Sequence, residues 1–163
     1  MRVILVLLGM AAALPVVAQD FAVDGHRIDR CIAIQDDPML CVGREAYDCI
    51  EANGGGPNMV LAACHEAEAV FWDAALNRAY QHLVYLARER EAGDVGYEAG
   101  ALVTALRDMQ RAWMVYRDAS CDNALALAKP FGSAAGPAFA ECQMVQTARQ
   151  YFVLRGMRQD YLR

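Results

Sequence analysis

Two long stretches of helical periodicity, separated by a short polar turn, constrain the fold of this chain more than any other feature. Residues 66–87 and residues 103–121 each place apolar side chains along one stripe of a helix, and the sequence EAGDVG at 91–96 separates them. The first stripe consists of Ala69, Val70, Leu76, Tyr80, Leu83, Val84 and Ala87, and the second holds Val103, Leu106, Trp113, Met114 and Cys121. The pattern predicts a long antiparallel helical hairpin.

Two polar side chains interrupt each stripe. Asp73 and Asn77 lie in the first stripe, and Gln110 and Arg117 lie in the second. Burying such groups is costly unless they find hydrogen-bond partners, so each helix requires a polar partner. Folding the chain about Asp94 brings Asp73 level with Arg117, and Asn77 level with Gln110, within about two helical positions. We therefore predict a structural polar network with an Asp73–Arg117 ion pair and an Asn77–Gln110 contact.

The six cysteines are expected to form three disulfides, since an even number in an exported chain is typical of a disulfide framework. Turn signals at 36–38, 53–57 and 129–137 each lie near the middle between two successive cysteines. The alternative pair Cys64–Cys121 fits the heights in the hairpin, but Cys64 points away from the apolar stripe. The favoured pairs are Cys31–Cys41, Cys49–Cys64 and Cys121–Cys142.

The remaining periodic stretches complete an all-α fold. Ala, Leu, Met, Glu, Gln and Arg fill these stretches, and no run of alternating β-branched residues requires a strand. We predict a small disulfide-stapled helical bundle built on the long hairpin. Its helices are expected at about Arg27–Gln35, Met39–Ala52, Asn58–Glu91, Tyr97–Ala128 and Ala138–Tyr161.

The first 18 residues are typical of a secretory signal peptide. Arg2 precedes an apolar run, and small residues stand at the end of Val16-Val17-Ala18. A lipoprotein would need a cysteine at the cleavage point, but the first cysteine is Cys31. We expect a single soluble domain at 19–163, periplasmic or secreted, without a membrane anchor.

The charge of the chain indicates the kind of partner. It has 15 basic and 20 acidic residues, a net charge of −5, and removal of Arg2 leaves 14 − 20 = −6. This acidic balance argues against nucleic acid and anionic membranes as partners, and it favours a basic protein.

Nothing in the sequence assembles a nucleophile, a base and an orienting group, so we predict no enzyme and no cofactor. The HE pair at His65 lacks the second histidine of a metalloprotease motif, and Cys64 is expected in a disulfide rather than at a metal. His82 is interpreted as a surface residue, Ser133 lacks a nucleophile elbow, and Gly54–Gly56 lacks the lysine of a phosphate loop. No metal site is predicted.

The other charged and aromatic residues of the hairpin have ordinary structural interpretations. Glu66 and Glu68 are interpreted as part of a solvated helix face. Trp113 is expected in the core because it lies in the stripe. Trp72 lies at the margin of its stripe, where we expect it to close the edge of the core rather than face a partner.

A doubled motif carries a family resemblance. Its first half is Cys64, Glu66, Glu68, Trp72-Asp73, Leu76-Asn77 and Tyr80, and its second half is Leu106, Gln110-Arg111, Trp113, Tyr116-Arg117-Asp118-Ala119 and Cys121, followed by Gly132-Ser133, Cys142 and Thr147-Ala148-Arg149. Over about residues 49–154 the chain resembles the LprI-type lysozyme-inhibitor domain of bacterial envelope proteins, with an additional cysteine-containing segment at 24–48. The family-motif core would be Trp72, Leu76, Tyr80, Trp113 and Tyr116. Many members have two glycines before the hydroxyl residue, where this chain has Phe131-Gly132.

The resemblance implies inhibition of a lysozyme in the cell envelope. An acidic inhibitor would be attracted to a basic lysozyme, whose catalytic cleft is acidic. The parts able to enter a cleft are the hairpin tips at 53–58 and 129–137. In the second tip, Lys129 would offer a cation and Ser133 a hydroxyl, beside Phe131 and Gly132; the competing interpretation of this loop is a simple disulfide-bordered turn.

The alternative function is an envelope adaptor or assembly module that binds another secreted or outer-membrane protein without catalysis. Small residues would give it flat surfaces for close approach. These are Ala99, Gly100, Ala135 and Gly136.

Overall fold

The computed structural model describes residues 21–93 and 96–162, and this part of the chain is helical without strands. The predicted all-α class is confirmed. The predicted signal peptide and the turn centre at Asp94 lie outside the described residues. The helices are α1 (Gly25–Ile34), α2 (Arg44–Ala52), α3 (Asn58–Gly93), α4 (Ala101–Ala128) and α5 (Ala135–Leu162), with 3₁₀ helices at Pro38–Cys41 and Lys129–Ala134.

The hairpin of α3 and α4 is closed by the carboxylate of Glu91. It accepts hydrogen bonds from the backbone N–H groups of Gly100 at 2.9 Å, Leu102 at 2.5 Å and Val103 at 3.3 Å, which are free donors at the start of α4. Partial desolvation acts to raise the pKa of Glu91, but these donors outweigh it, so the pKa lies below its ordinary value. The last turn of α3 thus caps the first turn of α4.

Helix α5 packs against both arms of the hairpin, and its contact with α3 is the larger one. The aromatic ring of Trp72 on α3 lies 5.5 Å from that of Phe152 on α5. Farther along both helices, the Arg90 guanidinium donates to the Asp160 carbonyl at 2.9 Å. From the first contact to the second, the residue numbers increase along both helices, so α5 runs parallel to α3 and antiparallel to α4.

The core has three parts. Trp72, fully buried, anchors the first part where α1 and the Pro38–Cys41 turn meet α3 and α5. A second cluster joins α3, α4 and α5, and Tyr80 and Trp113 pack at its edge. The third lies around the Cys49–Cys64 disulfide. The buried residues of the second cluster are Leu76, Leu83, Val84, Leu106 and Leu154.

The predicted Asp73–Arg117 ion pair is wrong for the chain as described. Asp73 is exposed and accepts from Asn77 Nδ2 of its own helix at 2.9 Å. The Arg117 guanidinium bonds the neighbouring Asp118 carboxylate at 2.8 Å and lies 5.1 Å from the centre of the Trp113 ring. The pairing fails because α5, rather than α4, covers most of the buried face of α3.

The predicted Asn77–Gln110 contact is wrong for the same reason. Gln110 is buried, as its place in the stripe requires, but it accepts from Gln150 Nε2 on α5 at 3.0 Å. Asn77 is exposed and bonds within α3. The polar partner that α4 needs therefore comes from the last helix.

Some residues assigned to a stripe or to the family-motif core face solvent. Tyr116, assigned to the family-motif core, is 60% exposed, and Val70 is 69% exposed. Met114 is 45% exposed. These three residues therefore lie outside the buried faces of α3 and α4.

The three disulfides join the pairs that the turn positions favour. Their Cα–Cα distances are 5.8, 5.7 and 5.4 Å. Each one links two elements across a local turn. The pairs are Cys31–Cys41, Cys49–Cys64 and Cys121–Cys142.

Candidate partner-binding site

The two predicted hairpin tips lie together at one end of the bundle. The connection from α4 to α5 is the Lys129–Ala134 turn, in which Gly132 adopts φ 66°. The α2–α3 turn contains Gly54–Gly56, all with positive φ, which only glycine adopts freely. Asn58 Nδ2, at the start of α3, donates to Ser133 Oγ at 2.7 Å. We call these two turns, residues 53–58 and 129–134, the loop end.

Disulfides brace the loop end from behind. Cys121–Cys142 joins the last part of α4 to the first part of α5, and Cys49–Cys64 joins α2 to α3. The sulfur-bearing residues Cys64 and Cys121 are fully buried. Each turn therefore connects two helices that a disulfide joins, and this crosslink limits how far the tip of the turn can move.

Exposed apolar side chains and one cation lie in the loop end and directly beside it. Phe131 is 76% exposed, and Leu127 just before the turn is 69% exposed. Met59, beside Asn58 in sequence, is 67% exposed. Lys129 is also exposed and is the single lysine of the chain. An exposed aromatic ring with flanking apolar side chains is typical of the anchors of protein interfaces.

Lys129 stands where α4 ends, so its ammonium group lies at the negative end of the helix dipole. Among the residues that the structure describes, no carboxylate lies within ion-pair distance of it. The ammonium group is thus available to a carboxylate of another molecule.

Sequence reasoning missed Glu68, which holds the first turn of α2 against α3. Its side chain is fully buried, so its assignment to a solvated face is wrong. Its oxygens accept from Gly43 N at 2.7 Å, Ala46 N at 2.7 Å and Trp72 Nε1 at 2.8 Å. No side chain of its own caps the first turn of α2, so Glu68 supplies that cap from α3. The spacing of Cys64, Glu68 and Trp72, four residues apart, was the available signal.

The histidines do not assemble a reactive centre with these residues. Cys64 is in a disulfide and cannot offer a thiolate to a metal beside His65, whose Nδ1 is buried without a partner. His82 is exposed and stacks 6.5 Å from the Tyr85 ring. Across residues 21–93 and 96–162, no group of histidine, cysteine or acidic side chains is arranged to hold a metal ion. No helix in these ranges has the length and apolar character needed to cross a membrane.

Comparison with known proteins bears directly on this geometry. The family model described as "Lysozyme inhibitor LprI" matches residues 49–154, which is more than half of the chain. An uncharacterized protein of Rhizobium meliloti (strain 1021) is 35% identical over 66 residues, which are 39% of this chain and 48% of the relative. The match thus spans about half the length of that relative. No solved structure matches the chain significantly.

Proposed function

The chain belongs to the LprI lysozyme inhibitor family, and we propose that it is exported and inhibits a lysozyme with its loop end. The observation that carries the proposal is Phe131, 76% exposed on a crosslinked turn beside the single lysine. In the complex, Phe131 fills an apolar part of the substrate cleft. The Lys129 ammonium group lies against the catalytic carboxylates, because glycoside hydrolases of this kind cleave their substrate between two carboxyl groups.

The charge of the chain supports a basic target. The net charge, −5 for the full chain and 14 − 20 = −6 without residues 1–18, attracts a basic enzyme over a distance of about one Debye length. Lys129 adds a local cation at the point where an acidic cleft would meet the inhibitor. The acidic chain as a whole would therefore attract the basic enzyme, while Lys129 would complement the acidic cleft at the point of contact.

The rigidity of the loop end supports tight binding. A loop already held in one conformation loses less conformational entropy when it binds. The Asn58–Ser133 hydrogen bond joins the two turns, and the disulfides behind them fix their spacing. In this proposal Ser133 is therefore a positioning residue, and Phe131 and Lys129 make the contacts.

The cysteines support export. Three disulfides and no free cysteine occur in the described residues, as expected for an oxidising compartment. Together with the predicted signal peptide at 1–18, the disulfides support a mature protein in the periplasm or outside the cell.

The experiment is a lysis assay with the mature, oxidised protein. It is titrated against c-type, g-type and phage-type lysozymes acting on peptidoglycan, and stoichiometric inhibition of one class is expected. Phe131→Ala should weaken that inhibition by about 30-fold, as for a central interface residue worth about 2 kcal/mol. Lys129→Ala should weaken it less at high salt than at low salt, because salt screens the charge.

Matched controls separate the loop end from general surface effects. Ile34 is 79% exposed on α1, and its change to Ala removes a comparable exposed apolar side chain. Arg111→Ala removes an exposed cation on α4. Both variants should inhibit like the unaltered protein. Absence of inhibition towards all three enzyme classes, or equal inhibition by Phe131→Ala, would contradict the proposal.

An exposed apolar stretch on α4 favours the adaptor as the second candidate. Val115 is 71% exposed and Tyr116 60% exposed, on a helix that contributes few of its residues to the core. The small residues of Ala99-Gly100 and Ala135-Gly136 flank opposite ends of α4, which spans about 40 Å, so they offer no common surface. Capture of an envelope protein that is lost in Tyr116→Ser but unaffected by added lysozyme would favour this candidate.

A further inference from the structure

A surface cavity of about 290 Å³ lies between α3 and α5, beside α1. Its floor is apolar and comes from the half-buried side chains of Tyr151 and Ala79, with the buried side chains of Ala75, Leu83 and Leu154 behind them. The volume is close to the lower end of the range found for small-molecule sites. Alkyl or aromatic groups of a few carbon atoms fit such a space.

The rim of this cavity is basic, although the chain as a whole is acidic. Arg78 and His82 lie one turn apart on α3, and Arg155 and Arg158 lie one turn apart on the parallel helix α5. Asp29 of α1 is the acidic residue of the lining. Three arginines and one aspartate give the lining a formal charge of +2 with histidine neutral, on a chain of net charge −5.

The three guanidinium groups of the rim are free to bind a ligand. Arg78, Arg155 and Arg158 are exposed, and none makes an ion pair or a side-chain hydrogen bond with the part of the chain that the structure describes. By contrast, Arg27 on α1 bonds the Asp48 carboxylate at 2.6 Å, and Arg117 is paired as described above. An unpaired group of like charges around a concave apolar floor has no evident structural role.

We propose that this cavity binds a phosphomonoester that carries a short apolar group. The planar fork of an arginine matches the oxygens of a phosphate in a bidentate geometry, and guanidinium groups on two facing helices can hold one phosphate from both sides. A phosphomonoester carries a charge of about −1.5 to −2 at neutral pH, which balances the +2 of the lining. The apolar group lies on the floor formed by Tyr151 and Ala79.

This site is independent of lysozyme inhibition. Arg78 stands 20 residues beyond Asn58 along α3, a distance of about 30 Å from the loop end. An inhibitor with the loop end occupied therefore leaves the cavity open, and failure of either proposal leaves the other unaffected.

Titration calorimetry of the full mature protein tests the site, with hexyl phosphate, inorganic phosphate and hexanol as probes. Hexyl phosphate should bind at least about tenfold more tightly than inorganic phosphate, because a few of its methylene groups move from water onto the apolar floor of the cavity. Hexanol, which lacks the charge, should not bind measurably at the same concentrations. Equal affinity for both phosphates, or no heat from hexyl phosphate up to about millimolar concentration, would overturn the proposal.

The variant pair Arg78→Gln with Arg155→Gln removes one guanidinium from each helix and should weaken hexyl phosphate binding by about tenfold or more. The matched control is Arg107→Gln with Arg111→Gln, which removes two exposed cations of α4 next to Asp108 and should leave binding unchanged. Circular dichroism checks that both double variants are folded. A similar loss of binding in both double variants would mean that only overall charge matters, and it would overturn the assignment to this cavity.

The same phosphate chemistry occurs in soluble metabolites and in lipid headgroups, and flotation with vesicles containing phosphatidic acid distinguishes them. Flotation that depends on Arg78 and Arg155 identifies a lipid headgroup as the ligand. Binding of hexyl phosphate without flotation identifies a soluble phosphomonoester. Flotation that is unchanged in the Arg78→Gln, Arg155→Gln variant would count against the cavity as the lipid site.

Discussion

The strongest stability prediction concerns the buried carboxylate of Glu68. In Glu68→Gln, the remaining side-chain oxygen can still accept from Gly43 N and Trp72 Nε1, which share one oxygen in the structure. The amide nitrogen would then face the N–H of Ala46, so one buried donor loses its acceptor. An unsatisfied buried donor costs about 1–3 kcal/mol, and we expect about 2 kcal/mol here. Glu68→Ala leaves all three donors without an acceptor and should cost about 3–5 kcal/mol.

The assay is equilibrium unfolding in urea with the disulfides intact, followed by tryptophan fluorescence and by far-UV circular dichroism. With a denaturant slope of about 2 kcal/mol per molar, Glu68→Gln should lower the midpoint by about 1 M and Glu68→Ala by about 2 M. The control is Glu66→Gln, an exposed carboxylate two residues away, which should change the free energy of unfolding by less than about 0.5 kcal/mol. If Glu68→Gln and Glu66→Gln had the same midpoint and slope, the carboxylate would not be the cap of α2 that we describe.

Three further predictions test other parts of the scaffold. Changing either Gln110 or Gln150 to Leu should cost about 1–2 kcal/mol, because one buried amide loses its partner, whereas the double change should cost less than the sum of the two in a double-mutant cycle of urea midpoints. In Glu91→Gln the hairpin loses a charged cap. Because the pKa of Glu91 is lowered on folding, its contribution is present above the unfolded pKa and is lost as pH falls through the folded pKa, so the unfolding free energies of variant and unaltered protein should converge only below the folded pKa. Replacing both Cys121 and Cys142 by Ala should lower stability by about 3 kcal/mol through the loss of a 21-residue loop closure, and urea unfolding of both proteins without reductant, which keeps the other two disulfides intact, should show this difference.

Local sequence signals were sufficient for much of the fold. The hairpin could be predicted because helical period, turn residues and helix-forming composition agree over long stretches, and α4 ends at Ala128 as expected. Turn positions were also enough to favour the disulfide pairs, since each pair closes a short local loop. These features depend on residues that are close in sequence, where periodicity and turn chemistry are informative.

Contacts with the last helix could not be predicted in the same way. Folding α3 onto α4 assumed that neighbours in sequence share their buried faces, but α5 covers most of α3 and provides Gln150 to Gln110. Asp73 was therefore assigned a partner across the hairpin, although it lies on the exposed side of its helix. A carboxylate such as Glu68 gives no hydropathy signal of burial, and only its spacing from Cys64 and Trp72 places it on the buried face.

The burial of the motif residues indicates that the family match reflects the scaffold of the protein more than its binding surface. Trp72 and Leu76 are buried, and Gln110 bonds inside the bundle, so these positions determine the scaffold and cannot contact a partner directly. Phe131 contributes nothing to the buried core and is 76% exposed on the crosslinked loop end. Substitution there alters the binding surface at little cost in stability, since surface changes usually alter it by less than about 0.5 kcal/mol. If the loop end binds lysozyme as proposed, the choice of lysozyme is therefore set by residues such as Phe131, while the doubled motif maintains the frame that presents them.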